Sequence, residues 1–187
     1  MPASLALDLE TVVIAEPITA WRTWALTIRR DEPRLRPVAG RAKPWPPLRP
    51  AEATCRLARM HVAPNVDCTC GLHGSTGLDL LRKTKNPSVL GRVALWGRVI
   101  EHELGYRSEY AYPERLRLVC PICFWQWGAI RSKPDIVGTF GLGRVIPFCE
   151  EHLDLARRYG MSPKGLLLAE QVDQELRSTY AVDALAI

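Results

Sequence analysis

The hydrophobic positions of the chain fall into short β-rich runs along its first two thirds. Residues 11–15 and 18–28 form the first two runs, and residues 88–102 and 106–118 form two longer ones. These segments are rich in β-branched and aromatic residues and are bounded by glycine, proline or charged residues, which is typical of strands. Between them, residues 77–85 favour a short helix that ends in a basic turn.

The spacing of apolar residues changes near the C-terminus and predicts a helix there. Ser162 and Pro163 suit the N-cap and the first helical position. The apolar positions that follow lie on one helical face. They are Leu168, Ala169, Val172 and Leu176.

Residues 29–50 interrupt this pattern with six prolines and nine charged residues. Such a composition favours a loop or arm over a packed element. The sequence therefore predicts an α+β protein with two parts. Residues 1–117 would form a small mixed or antiparallel β body that carries the Pro/Arg-rich arm, and residues 118–187 would form a zinc finger and a C-terminal helix.

Charge is unevenly distributed along the chain. Residues 1–100 contain 15 Lys/Arg and 8 Asp/Glu, whereas residues 101–187 contain 10 and 12. A basic first half favours an anionic partner such as DNA or RNA, although an arginine-rich composition also arises from a GC-rich genome. The predicted nucleic-acid contacts lie on the arm and at the end of the short helix: Arg34, Arg36, Arg41, Lys43, Arg49, Arg82, Lys83 and Lys85.

A split set of four ligands is the strongest chemical signal. Cys120 and Cys123 form a C-x-x-C pair, and after 25 intervening residues Cys149 and His152 form a C-x-x-H pair. Three thiolates and one imidazole make a common closed shell for structural zinc. Acidic residues directly after Cys149 and arginines one turn before Gly160 suit the two ends of a helix. We therefore expect the second pair to lie on the first turn of a short helix.

Residues 118–160 resemble the treble-clef class of zinc finger, in which a C-P-x-C knuckle, a hairpin and a ligand-bearing helix follow one another. The resemblance implies zinc. It does not imply one function, because such fingers occur in nucleic-acid binders, protein adaptors and enzymes.

A second group of cysteines lies in a Cys-rich knot, residues 55–73. Cys55, Cys68 and Cys70 could share a metal with one histidine and complete a Cys₃His shell. Proximity to Cys70 favours His73 as the fourth ligand, and His61 is the alternative because it would make a more compact knot. The cysteines could instead be small buried hydrophobic residues. We expect one zinc ion and regard two as possible.

A second resemblance covers residues 17–118. The stretch 91–113, together with the segment 68–71, is similar to a family of actinobacterial and phage-associated proteins with no established activity. The tyrosines of this stretch favour a core or sheet surface over a base-stacking face. Four tryptophans could similarly be core or an aromatic cage for a ligand. They are Trp21, Trp24, Trp45 and Trp96.

Catalytic motifs are incomplete or missing. His102 and Glu103 begin like a zincin motif, but Tyr106 stands where the second histidine is required. The zinc-deaminase pattern fails at two positions, and no phosphate-binding loop, dinucleotide fingerprint or nucleophile elbow occurs. A thiolate–imidazole pair of Cys68 or Cys70 with His73 is conceivable, but such clusters more often bind metal. The sequence predicts a protein without catalytic activity.

Together these features predict a cytoplasmic, zinc-binding nucleic-acid-binding or accessory protein. Acidic residues near the N-terminus and the absence of a basic leader argue against secretion, and no apolar run is long enough to cross a bilayer. Two alternatives stay open. One is an adaptor that docks a protein, and the other is a β-barrel pocket that recognises a small molecule or a modified base.

Overall fold

The main element of the fold is a long antiparallel hairpin of β5 (Val89–His102) and β6 (Gly105–Leu118). It lies within the part of the chain that the computed structural model describes, residues 11–39, 43–55, 57, 61–129 and 131–186. Gly105 begins β6 at φ +151°, and a Cβ there would lie 2.1 Å from the carbonyl oxygen of Gly74. Only glycine fits this close approach of the neighbouring strand, β4 (Leu72–Ser75).

Strand β1 (Thr11–Arg29) joins the hairpin to the rest of the sheet. Its first part runs antiparallel to β5, and its last residues pair with both β2 (Glu32–Arg36) and β8 (Arg144–Phe148). The two predicted parts of the chain are thus hydrogen-bonded to each other through β1 and β8. The division at residue 117 itself stays a prediction.

The remaining strands extend the sheet on both sides. Next to β6 lie β3 (Ala51–Glu52), β4 (Leu72–Ser75) and β10 (Asp183–Ala184). Next to β8 lies β7 (Ile136–Thr139), and β9 (Gly165–Leu168) pairs with β7 at the outer edge. Of the strand pairs in the described residues, only β6 and β10 run parallel.

The predicted α+β class is wrong, because the described residues form a mostly antiparallel β protein with three short helices. These are α1 (Pro121–Trp127), α2 (Glu150–Arg158) and α3 (Ala169–Tyr180). The last helix begins at Ala169 and not at Ser162, because residues 165–168 pair with β7 as a strand. The short basic element is a 3₁₀ helix, Asp79–Lys83.

The stretch 29–50, expected to be a loop, contains β2 and a buried tryptophan. Alternation explains the strand, because Pro33 and Leu35 are buried, whereas Glu32 is exposed and Arg34 is half-buried. The backbone N–H of Trp45 donates to the carbonyl of Leu35. Six prolines and nine charged residues favour a loop here, but the period-two pattern of β2 determines the local structure.

Helix α3 closes the main core over the sheet. Its buried residues Val172, Leu176 and Tyr180 belong to the same apolar cluster as Trp24 and Leu35. The Tyr180 hydroxyl donates to the Trp45 carbonyl at 2.8 Å and accepts from the Leu35 N–H at 3.0 Å. Burial raises the pKa of Tyr180 to about 12, so the hydroxyl stays protonated and keeps its donor.

Candidate metal centres and a basic groove

The first candidate metal centre joins the starts of two helices. Cys120 is the N-cap of α1 and Cys123 lies in its first turn, while Cys149 is the N-cap of α2 and His152 lies in its first turn. The Nδ1 atom of His152 is 3.5, 3.2 and 3.1 Å from the Sγ atoms of Cys120, Cys123 and Cys149. The sequence-predicted four residues therefore come together with every ligand atom within 4.8 Å of the others.

These separations match a tetrahedral shell. With metal–sulfur bonds near 2.3 Å, two sulfurs on a tetrahedral zinc lie about 3.8 Å apart, and Sγ of Cys123 lies 3.6 Å from Sγ of Cys149. Burial, and then the negative charge of Cys120, raise the pKa of the Cys123 thiol. Burial likewise raises the pKa of Cys149. A bound cation offsets this cost by stabilising the thiolates.

The surroundings of this centre do not form a clear treble clef. The knuckle cysteines lie at the start of α1, so a helix follows them where the treble clef has a turn into a hairpin. The hairpin β7–β8 is hydrogen-bonded to β1 and β9, which makes it part of the large sheet. Spacing and caps predict α2 well, since it spans Glu150–Arg158 and Gly160 has φ +80°.

The second candidate metal centre consists of Cys55, His61, Cys68 and Cys70, which are all half-buried and lie within 4.8 Å of one another. The Sγ atoms of Cys55 and Cys68 are 3.8 Å apart, and His61 Nε2 is 3.3 Å from Sγ of Cys70. Two clusters thus have metal-binding geometry.

The structure brings His61, and not His73, to the second centre. His73 lies on β4, three residues after Cys70. Its Nε2 lies 3.1 Å from the carbonyl oxygen of Thr69. Desolvation by surrounding protein, and then the charge of Arg22, lower the pKa of His73. Proximity in sequence favoured His73, but the extended backbone of β4 carries its side chain away from the cysteines.

Arg107 holds the loop that carries this centre, a role that the sequence reasoning missed. Its buried guanidinium donates from Nη1 to the carbonyls of Cys68, Asn65 and Cys70, the last two at 3.2 Å. A fixed cation with three carbonyl partners orients both cysteines. The sequence signal for this role is an arginine in the middle of a β-rich run, because a charge that becomes buried in a sheet needs hydrogen-bond partners.

A large groove of about 1270 Å³ lies beside the second centre and is lined in part by Cys55 and Cys70. Two predicted basic residues of the arm, Lys43 and Arg49, line it together with Arg22. Glu52 is the one acidic side chain among its described lining residues. The walls therefore carry a net positive charge.

Of the three cations that line the groove, Arg22 has the most unusual surroundings. Its guanidinium carbon lies 4.8 Å from the Trp45 ring centroid and 5.8 Å from that of Trp24, and Nη1 donates to the His73 carbonyl. Its Nε is buried with no hydrogen-bond partner, and within the described residues no carboxylate pairs with it. Burial lowers the pKa of Arg22 to about 10. The side chain stays charged at neutral pH, and an anion in the groove would compensate that charge.

The other predicted basic residues are more scattered. Arg34 pairs with Glu32, Arg36 is half-buried on β2, and Arg82 donates to backbone carbonyls at the end of α1. Lys83 and Lys85 are exposed. Arg41 lies outside the described residues.

The four tryptophans do not assemble a cage. Trp24 and Trp45 are buried and pack edge to face with centroids 5.4 Å apart, whereas Trp96 stacks on Tyr110 elsewhere in the hairpin. Trp21 lines the groove, but the Arg92 guanidinium covers its ring at 4.5 Å. These indoles lie mainly in the core and in the wall of the groove.

No protein-family model, curated protein or solved structure matches this chain. The resemblances to treble-clef fingers and to the actinobacterial and phage-associated family therefore gain no support from these comparisons. Among the described helices, none has the length and apolar character to cross a membrane. The cytoplasmic location and the absence of catalytic activity stay predictions.

Proposed function

We propose that this protein binds single-stranded nucleic acid in the basic groove and that two Zn²⁺ ions stabilise the elements around it. The observation that carries the proposal is the groove lining, in which Arg22, Lys43 and Arg49 face a single acidic residue, Glu52. A positively charged groove that tracks a phosphate backbone is how proteins hold single strands without reading sequence.

The ligand chemistry supports zinc as the metal in both centres. Three cysteines and one histidine make a soft, nitrogen-containing shell that suits Zn²⁺ and not a hard oxygen-seeking cation such as Mg²⁺. The second centre borders the groove through Cys55 and Cys70. Its ion would therefore fix one groove wall, while the first centre fixes α1 against α2.

A concave site favours a single strand over a duplex, because the duplex backbone is a convex cylinder that needs an open face. The phosphates would lie near Lys43 and Arg49, which are both exposed at the groove. Arg22 lies deeper, beside the Trp45 and Trp24 rings, and would meet one phosphate.

Fluorescence anisotropy with labelled DNA and RNA strands over a range of salt tests the proposal. Lys43→Gln combined with Arg49→Gln removes two phosphate contacts, so the slope of log affinity against log salt should become shallower by about 1.4 for a single strand. Arg157→Gln with Arg158→Gln is the matched control, since both arginines are exposed on α2 away from the groove lining.

Two results would count against the groove. One is the absence of binding to any DNA or RNA strand at low salt, and the other is an equal effect of the control pair. The first result would favour the adaptor alternative, in which changes on exposed α3 residues abolish capture of a protein partner while the groove substitutions do nothing.

A further inference from the structure

Two large aromatic side chains on α1 are exposed. Trp125 is 66% exposed and Trp127 is 59% exposed, while Phe124 on the same helix is fully buried and anchors it. Two exposed indoles on one short helix are unusual for a folded surface. Because residues i and i+2 of a helix do not face each other, the two rings are separate contact points.

The surroundings of these indoles are cationic. The guanidinium carbon of Arg131 lies 5.8 Å from the Trp127 ring centroid, and Lys133 is exposed two residues further on. No aspartate or glutamate occurs in residues 121–134. Aromatic rings interleaved with cations suit a ligand that combines flat rings with negative charge, although exposed carboxylates are present at Asp135 and, on the 3₁₀ helix, at Asp79.

The indoles lie across one short element from the groove. The 3₁₀ helix Asp79–Lys83 lines the groove through Leu80 and Leu81 on one side. On the other side Arg82 Nη2 donates to the carbonyls of Trp125 and Gln126, at 3.4 and 2.9 Å. One short element thus separates the basic groove from the exposed rings, and it carries Lys83 at its surface.

We propose that Trp125 and Trp127 each stack on an unpaired base of the part of a nucleic-acid strand that leaves the groove across the 3₁₀ helix, and we call this pair of indoles the platform. The inference rests on the proposed function, because the groove would hold the first nucleotides. The ligand class is unpaired bases, which stack on indole faces whatever their identity. A protein partner or an anionic lipid surface at this site would contradict the proposal.

A length series of oligonucleotides tests the platform. Trp125→Ala with Trp127→Ala should leave the affinity for a strand of about 4 nucleotides unchanged, since the groove alone holds it. For a strand of about 15 nucleotides the affinity should fall about fivefold or more for each indole, because stacking contributes that much per base. The salt slope should not change, because no phosphate contact is removed.

Tyr159→Ala is the matched control, since Tyr159, the C-cap residue of α2, is 82% exposed. Replacing both tryptophans with phenylalanine should restore part of the affinity for the long strand, as a stacking role requires. Circular dichroism and zinc content of each variant establish that the fold is intact.

The outcomes separate the two proposals. If the long and short strands lose affinity equally, or neither loses any, the platform is wrong while the groove stands. If the wild-type protein binds neither strand, the proposed function fails as well. Unchanged strand binding with loss of pelleting on phosphatidylcholine–phosphatidylserine vesicles would assign the indoles to a membrane surface instead.

Discussion

Cys123 and Cys149 place their sulfur atoms 3.6 Å apart although 25 residues separate them along the chain. One belongs to the first turn of α1, and the other is the N-cap of α2, directly after β8. Neither helix is longer than nine residues, and such short helices are marginal on their own. A shared metal would therefore supply much of the energy that holds them together.

Cys123→Ser should remove one zinc ion per chain and destabilise the protein severely. Structural zinc contributes on the order of 10 kcal/mol in isolated finger peptides, which exceeds the net stability of many domains. Elemental analysis and urea unfolding measure the two effects. Cys68→Ser, in the other centre, is the control and should leave this ion in place. Wild-type protein that binds no metal when purified without chelators would contradict both metal assignments.

His61→Ala should remove the second zinc ion, whereas His73→Ala should retain it. The reason is geometric, since His61 Nε2 lies 3.3 Å from Cys70 Sγ while His73 Nε2 lies at the carbonyl of Thr69. Zinc content should fall from two per chain to one in the first variant alone. Equal metal content in both variants, with Cys68 reactive toward a thiol reagent, would mean that these cysteines are packed side chains and not metal ligands.

The first centre could be predicted from sequence because its ligands lie in two short motifs and the second motif has clear helix caps. The hairpin β5–β6 was also predictable, since long β-branched runs flank Gly105. In both cases the signal is local, and tertiary contacts agree with it.

The second centre and β9 depend on contacts that a sequence does not display. His61 reaches Cys70 only because the loop folds back around Arg107. Residues 165–168 pair with β7 although their leucines continue the apolar spacing of the following helix. That continuation predicts a helix that begins too early, and the predicted α+β class depends on this helix, on the short basic helix and on the helix of the finger.

Tyr180→Phe should destabilise the protein by about 1–3 kcal/mol, because it leaves the Trp45 carbonyl and the Leu35 N–H buried without their partner. Ring packing is preserved, so the loss isolates the hydroxyl. Urea unfolding measures it. Tyr159→Phe, on an 82% exposed ring, is the control and should be neutral. A neutral Tyr180→Phe would mean that the arm is not held through this hydroxyl.

Glu109→Gln should weaken the hairpin in a way that depends on pH. Glu109 Oε2 accepts from Arg98 Nε at 3.0 Å and from the Arg98 N–H at 3.3 Å, beside the bulge where Gly97 has φ +76°. The hydrogen bond from the Arg98 side chain is the main cause that lowers the pKa of Glu109 below its ordinary value of 4.5. A half-buried pair of this kind contributes about 1 kcal/mol.

The pH at which this contribution disappears follows from the direction of the shift. A lowered carboxyl pKa stabilises the fold above the unfolded-state value and loses that effect as pH falls through the folded-state value. The difference in unfolding free energy between wild type and Glu109→Gln should therefore be constant near pH 7 and shrink below about pH 4.5. Both proteins release metal in acid, so this effect cancels when their unfolding free energies are subtracted. Asp154→Asn is the control, because Asp154 and Arg157 are exposed and 3.4 Å apart, and it should show little effect at any pH. A wild-type advantage that persists unchanged into acid would mean that the pairing with Arg98 does not carry it.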